Sequence, residues 1–293
     1  MRRLLRSDHA SGWLFVAPAT ILLVVFGLVP IGWSALLSFQ HNDLLSAPHW
    51  VGTANYRALR HDPVFRKSIH NTIEYTLLFV PISIGLALAV AMALNARIRF
   101  ISIYRTAVFI PVAVSTVATA IVFNWVFDPT YGIANWLLNE IGISSQGFFH
   151  NPDQALYGIV AMTVWGWIGF DVIIYLAALQ GIPGELLEAA AIDGASRWST
   201  FRSVVLPLLG PATLFLVVWS TINALQLFDE IYNTTRGGPL ESTTVVVYYL
   251  WEQAFQYFEA GYAAAIAYVL FLAILVVTVI QLVVSRRAVH YTS

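Results

Sequence analysis

Residues 13–39 read WLFVAPATILLVVFGLVPIGWSALLSF and contain no charged residue. A helix that crosses the hydrocarbon core of a bilayer needs about 20 mostly apolar residues. This stretch therefore predicts a membrane-spanning helix. Arg2, Arg3 and Arg6 precede it, as basic residues precede the apolar run of a signal peptide. The run is longer than such a peptide needs and no small-residue cleavage site is clear, so a retained first span is predicted.

Five more apolar runs of similar length follow along the chain, with short connections between them. The six predicted spans are Trp13–Phe39, Thr72–Leu94, Ile103–Phe127, Ala155–Leu179, Leu206–Phe228 and Ala260–Val284. The pattern predicts an all-α integral membrane protein in which residues 1–293 form one transmembrane domain. A short interfacial helix is predicted at Trp136–Leu138, in the third connection.

Composition excludes several functions. The chain is 58% hydrophobic and 11% charged, whereas soluble proteins carry about a quarter charged residues. A net charge of −1 disfavours a nucleic-acid partner. Without cysteine, thiolate metal sites and thiol nucleophiles are excluded, and the histidines lack metal-ligand spacing. The only lysine is Lys67, outside any G-x-x-x-x-G-K-[ST] motif, so hydrolysis of ATP by a P-loop within this chain is excluded.

Arginine and lysine near the span ends predict the orientation, because cytoplasmic loops carry an excess of these residues. Ten of them flank one side: Arg2, Arg3, Arg6, Arg97, Arg99, Arg105, Arg197, Arg202, Arg286 and Arg287. Five flank the other side: Arg57, Arg60, Arg66, Lys67 and Arg236. The imbalance predicts a multi-pass protein with both termini in the cytoplasm, although the first connection departs from the rule.

The fourth connection has the pattern of a helix, a turn and a second helix. Residues 181–207 read GIPGELLEAAAIDGASRWSTFRSVVLP. Pro183 can open the first helix and Gly194 can close it in the left-handed conformation. Ser196 can cap the second helix, which is predicted to run to Pro207, where the next span starts. On this argument alone, a surface hairpin that merely connects two spans remains an alternative.

The same residues match a known pattern. Glu188-Ala189-Ala190, Asp193-Gly194 and the later Leu206-Pro207 have the spacing of the EAA loop of permease subunits in binding-protein-dependent ABC importers. The resemblance implies the six-helix type I importer fold, with loop 181–206 supplying a coupling helix that sits in a cleft of the ATPase subunit. The implied coupling residues are Glu188, Ala189, Ala190, Asp193, Gly194, Leu206 and Pro207.

A second segment resembles the carbohydrate-uptake branch, of the maltose and glycerol-3-phosphate type. It is Thr235-x-Gly237-Gly238-Pro239 followed by Ser242-Thr243. The resemblance implies import of a sugar, oligosaccharide or glycerol-phosphate-type solute across the bacterial inner membrane. It implies a second permease subunit, two ATPase subunits that bind ATP and magnesium, and an extracytoplasmic solute-binding protein. This chain would itself hold no cofactor.

Polar groups inside the spans are candidates for a solute path, because they are costly in lipid and usually face the bundle interior. The predicted path residues are Trp165, Gly169, Asp171, Ser220, Asn223, Gln226 and Leu227. For each of them, packing between helices is the alternative. For the whole chain the alternative is an ion-gradient-driven secondary transporter, which should show inverted repeats and paired carboxylates in the membrane.

Overall fold

The structure is a computed structural model that describes the backbone of residues 8–96 and 99–288. Side chains are described for residues 12–96 and 99–285. Arg2, Arg3, Arg6 and Arg97 lie outside the described residues, and the side chains of Arg286 and Arg287 do as well. Two compact units are present, one of residues 1–62 and 250–269 and one of residues 63–249 and 270–293.

The first unit begins with a long apolar helix. It consists of α1 (Asp8–Leu23), a π-helical turn (Val24–Leu28) and α2 (Val29–Leu37). A two-stranded antiparallel sheet of β1 (Gln40–His41) and β2 (His49–Trp50) follows, and then α3 (Ala54–His61). The amide of Asn55 donates to the carbonyls of Ser38 and Gln40, and so fixes α3 to the end of the first span.

The second unit contains four of the predicted spans. Its helices in chain order are α4 (Pro63–Leu94), α5 (Ile101–Ala113), α6 (Thr116–Val126), α7 (Ile133–Glu140), α8 (Ala155–Gln180), α9 (Gly184–Ile192), α10 (Arg197–Thr200), α11 (Leu206–Leu208), α12 (Gly210–Leu225) and α13 (Asp229–Asn233). Then α14 (Val246–Trp251) and α15 (Ala260–Ala288) complete the chain. A helix is present at Trp136–Leu138 as part of α7, and its position at the membrane interface stays a prediction.

The core of the second unit lies where α4, α8 and α12 pack together. Ala87 and Ala91 of α4 are fully buried against Val172 and Tyr175 of α8. The Tyr175 hydroxyl donates to Thr213 of α12 over 3.1 Å, so this core also contains a hydrogen bond between helices. Small alanine side chains let the helix backbones approach closely, which is the usual basis of helix packing in membranes.

Two of the six predicted spans are not straight helices. Among the described residues, four helices are long and apolar enough to cross a membrane, and two bent pairs could each make one more span. The predicted span Ile103–Phe127 breaks by 101° between α5 and α6, and the Ser115 hydroxyl caps the new helix by accepting from the Ala118 N–H. Pro111, one turn before the break, frees a carbonyl and so weakens the helix there.

The span predicted at Leu206–Phe228 also has different ends. The helical stretch Arg197–Leu208 runs through Pro207 and then bends by 64° into Gly210–Leu225. Pro207 therefore lies near the end of the first helical stretch and does not start the span. Earlier in the chain, α4 begins at Pro63, nine residues before the predicted start of the second span at Thr72.

Candidate functional site

A polar cavity of about 180 Å³ lies in the second unit, against the cores of α4, α8 and α12 and the short helix α13. Its lining combines aromatic rings with hydroxyls, amides and carboxylates. The lining residues are Tyr75, Phe79, Thr116, Thr163, Trp167, Phe170, Asp171, Trp219, Ser220, Asn223, Ala224, Gln226, Leu227, Phe228, Asp229 and Glu230. Such a mixture of apolar wall and a few convergent polar groups is typical of small-molecule sites.

Five of the predicted path residues lie on this cavity: Asp171, Ser220, Asn223, Gln226 and Leu227. Asp171 is 3% exposed, and one of its carboxylate oxygens accepts from the Ser83 hydroxyl of α4 over 2.6 Å. Asn223 and Gln226 are exposed, and Asn223 donates to the carbonyl of Trp219 one turn earlier. Their role in transport stays a prediction.

The other two predicted path residues, Trp165 and Gly169, do not line this cavity. Trp165 lies in a separate apolar groove between α4 and α8 and packs against Phe123. Gly169 is buried where α8 crosses α5, and a Cβ there would lie 2.5 Å from the carbonyl oxygen of Val108. Gly169 therefore allows two helices to touch, and does not leave space for a solute.

Of the predicted path residues on α8, only Asp171 lies on the side that faces the cavity. That side carries Thr163, Trp167, Phe170 and Asp171. Because α8 is apolar on all sides, its periodicity does not identify an inward face. Glu230 lies just after the fifth predicted span, Leu206–Phe228, so polar residues within the spans do not include it.

Glu230 lies in the first turn of α13, and Asp229 and Trp167 both affect the pKa of its carboxyl group. Burial raises the pKa of the Glu230 carboxyl, and the neighbouring Asp229 charge raises it further, while a hydrogen bond from Trp167 acts in the opposite direction. Asp229 itself is exposed. Two acidic groups therefore meet at this end of the cavity.

The segment that follows α13 is held on α4 by a set of hydrogen bonds to its backbone. Lys67 donates to the Leu240 carbonyl over 2.6 Å, and Asn71 donates to the carbonyls of Glu241 and Thr244. Leu240 and Glu241 both have positive φ, a conformation that costs energy for residues other than glycine. The bonds from α4 thus fix a backbone that would not adopt this shape alone.

The fourth connection forms the predicted pair of helices. α9 ends in a Schellman motif: Gly194 has φ +75°, its N–H bonds the Ala191 carbonyl, and the Ala195 N–H bonds the Ala190 carbonyl. The Ser196 hydroxyl accepts from the Ser199 N–H and so caps the next helix, as predicted.

α9 exposes its side chains and buries none of them against the described part of the chain. Glu188, Ala189, Asp193 and Gly194 are exposed and Ala190 is half-buried. Ile192 is 86% exposed. At the far end of the loop, Leu206 and Pro207 are exposed and line an apolar groove beside α15. A well-formed turn with exposed apolar residues is a surface suited to a protein partner.

The described structure combines several apolar spans, a polar cavity against their packed core and an exposed helical turn. These features define a multi-pass membrane transport protein. The chain belongs to the family of binding-protein-dependent transport system inner membrane components, whose model matches residues 83–290. It is thus the permease component of an ABC importer, as the EAA resemblance implied, and the carbohydrate-uptake branch is confirmed.

Two relatives and one solved structure illustrate the similarity. The chain is 36% identical to the probable ABC transporter permease protein YesP of Bacillus subtilis, over 99% of this chain and 95% of that one. It is 38% identical to the lactose transport system permease protein LacF of Rhizobium radiobacter, over 96% of each. A bacterial alginate ABC transporter in complex with alginate pentasaccharide-bound periplasmic protein contains a chain of the same fold, with TM-score 0.84, 24% identity and coverage of 97% and 98%.

Proposed function

We propose that this chain supplies one side of the solute path of a sugar or oligosaccharide importer, and that the cavity on α4, α8 and α12 is that side. The observation that carries the proposal is the lining itself. Six aromatic rings, of Tyr75, Phe79, Trp167, Phe170, Trp219 and Phe228, stand beside hydroxyl, amide and carboxylate groups. Rings that pack on the apolar faces of a pyranose, with hydrogen-bonding groups for its hydroxyls, are suited to a saccharide.

We further propose that the turn of α9 and Gly194 docks on an ATPase subunit and transmits its closure to the spans. The helix is exposed along its length, and Glu185 lies in its first turn, where a negative charge is favourable. Glu188 is free to orient toward a basic group of the partner, because it is exposed. The loop that carries this turn continues through the bend at Leu209 into α12, which lines the cavity, and this continuity supports the proposal.

The complete importer then contains this chain, a second permease subunit, two ATPase subunits with ATP and magnesium, and an extracytoplasmic solute-binding protein. Binding of such a protein fits the family to which the chain belongs. The chain itself is proposed to hold no cofactor and to have no enzymatic activity. An ion-gradient mechanism is not favoured by the family assignment.

The first test concerns assembly. The purified chain alone should hydrolyse no ATP and should support no uptake of labelled lactose or maltotriose into liposomes. Co-expression with the permease, ATPase and binding-protein genes beside its own should give ATP-dependent uptake of the sugar that this binding protein retains. Uptake by the chain alone, without nucleotide, would contradict the proposal.

The second test concerns orientation, for which we propose both termini in the cytoplasm. Ser199, in the fourth connection, and Ser144, in the third, are both exposed. Because the chain has no cysteine, Ser199→Cys and Ser144→Cys can each be labelled singly in intact cells with a membrane-impermeant maleimide. Ser144→Cys should label in intact cells, and Ser199→Cys only after permeabilisation. Labelling of both residues in intact cells would overturn the orientation.

A further inference from the structure

The described wall of the cavity carries acidic side chains and no basic ones. Of its lining residues, Asp171, Asp229 and Glu230 are acidic, and none of the residues that the structure places on its wall is lysine, arginine or histidine. Lys67 and Arg105 do not line it; Lys67 donates to the Leu240 carbonyl and Arg105 to the Leu94 carbonyl.

The three carboxyl groups reach the cavity from two sides. Asp171 comes from the middle of α8, is almost fully buried, and is bonded to Ser83 through one oxygen. Asp229 and Glu230 come from the first turn of α13, with Asp229 exposed and Glu230 bonded by Trp167. Among the described residues, none of these three carboxyl groups forms an ion pair with a basic side chain. This wall therefore presents hydrogen-bond acceptors without a compensating positive charge.

We propose that this cavity selects by charge: it accepts saccharides that are uncharged or carry an amino group, and it rejects those that carry a carboxylate, sulfate or phosphate. The inference rests on the proposed function of the cavity as a solute path. Carboxylates accept the O–H and N–H donors of a neutral or amino sugar. An anionic solute would bring its charge next to the exposed Asp229 carboxylate, and such a repulsive element is an effective source of specificity.

Charge selection can be measured without knowledge of the natural substrate. Asn223 is exposed and lines the cavity, and the chain has no native cysteine. Asn223→Cys is prepared in the complete transporter, with the second permease and both ATPase subunits, in nanodiscs. It is reacted with a cationic trimethylammonioethyl or an anionic sulfonatoethyl methanethiosulfonate. In both reactions the thiolate forms a disulfide with the reagent and methanesulfinate leaves, so only the charge of the probe differs.

We expect the ratio of cationic to anionic reaction rates at Asn223→Cys to exceed the ratio at Ser144→Cys by about tenfold, since clefts of one sign of charge concentrate counter-ions by at least this factor. Adding Asp229→Asn, or Glu230→Gln, should lower the ratio toward that of Ser144→Cys. Equal ratios at the two cysteines would overturn charge selection while leaving the path intact. Failure of both probes at Asn223→Cys, with normal reaction at Ser144→Cys, would instead overturn the path and the inference with it.

Discussion

Replacement of Gly194 by valine is expected to uncouple the transporter. Gly194 has φ +75° at the end of α9, and a Cβ there would meet no atom within 4 Å. The space is therefore open, and the cost lies in the backbone: a side chain in the left-handed region costs about 1–2 kcal/mol, more when it is β-branched. The Schellman turn should unwind, so that substrate no longer stimulates ATP hydrolysis or the ATPase detaches during purification.

Two variants separate this effect from a general disturbance of the loop. Gly194→Asn should keep coupling close to that of the native protein, because asparagine tolerates the left-handed conformation. Gly184→Val places the same side chain at the other end of α9, where φ is not positive and no atom lies within 4 Å of a Cβ. It should therefore leave the ATPase bound. Normal substrate-stimulated hydrolysis by Gly194→Val, with the ATPase co-purified, would end the coupling assignment.

The sequence predicted the spans well because lipid imposes long apolar runs on any helix that crosses it. The first and fourth spans illustrate this: the structure gives Gly12–Leu37 and Ala155–Gln180, close to the predicted ends. The turn at Gly194 and the cap at Ser196 were also predictable, since both depend on residues adjacent in the sequence. Local chemistry fixes these features, and the rest of the fold has little influence on them.

The sequence pattern alone does not show that the third predicted span is bent. Pro111 lies inside the predicted span, whereas α5 ends at Ala113 and α6 begins at Thr116. Ser115 as a helix cap was the available signal. Prolines occur in both straight and broken spans, so sequence alone does not decide whether the neighbours of a helix accept a bend.

Asp171 was predicted on the inward face of α8, but its tryptophans could not be assigned to a side for a reason of symmetry. Trp165 and Trp167 have similar chemistry, yet Trp165 lies in the apolar groove with α4 and Trp167 lines the cavity. In a soluble protein the polar side of a helix marks its solvent face, but a span surrounded by lipid and other helices has no such contrast. Only the packing of α4, α5 and α12 around α8 fixes its rotation.

Gly169→Ala is expected to destabilise the protein, whereas Gly166→Ala should not. A Cβ at Gly169 would lie 2.5 Å from the Val108 carbonyl oxygen and 3.1 Å from the Phe109 Cα, both of which are backbone atoms that cannot rotate away. At Gly166, three residues earlier on the same helix, a Cβ would meet nothing within 4 Å. Overpacking of this kind costs about 1–3 kcal/mol, while alanine in place of an unconstrained helical glycine stabilises by roughly 0.5–1 kcal/mol.

The two alanines should therefore shift the melting temperature of the purified complex in opposite directions, with lower yield for Gly169→Ala alone. The comparison holds side-chain size, helix and depth in the membrane almost constant, so only the close crossing of α5 and α8 differs. If both variants melted alike, Gly169 would not be a contact between helices, and a path on that face of α8 would again need consideration. Equal yields with a lower melting temperature only for Gly169→Ala would still support the contact, because expression responds less sharply than melting to a loss of this size.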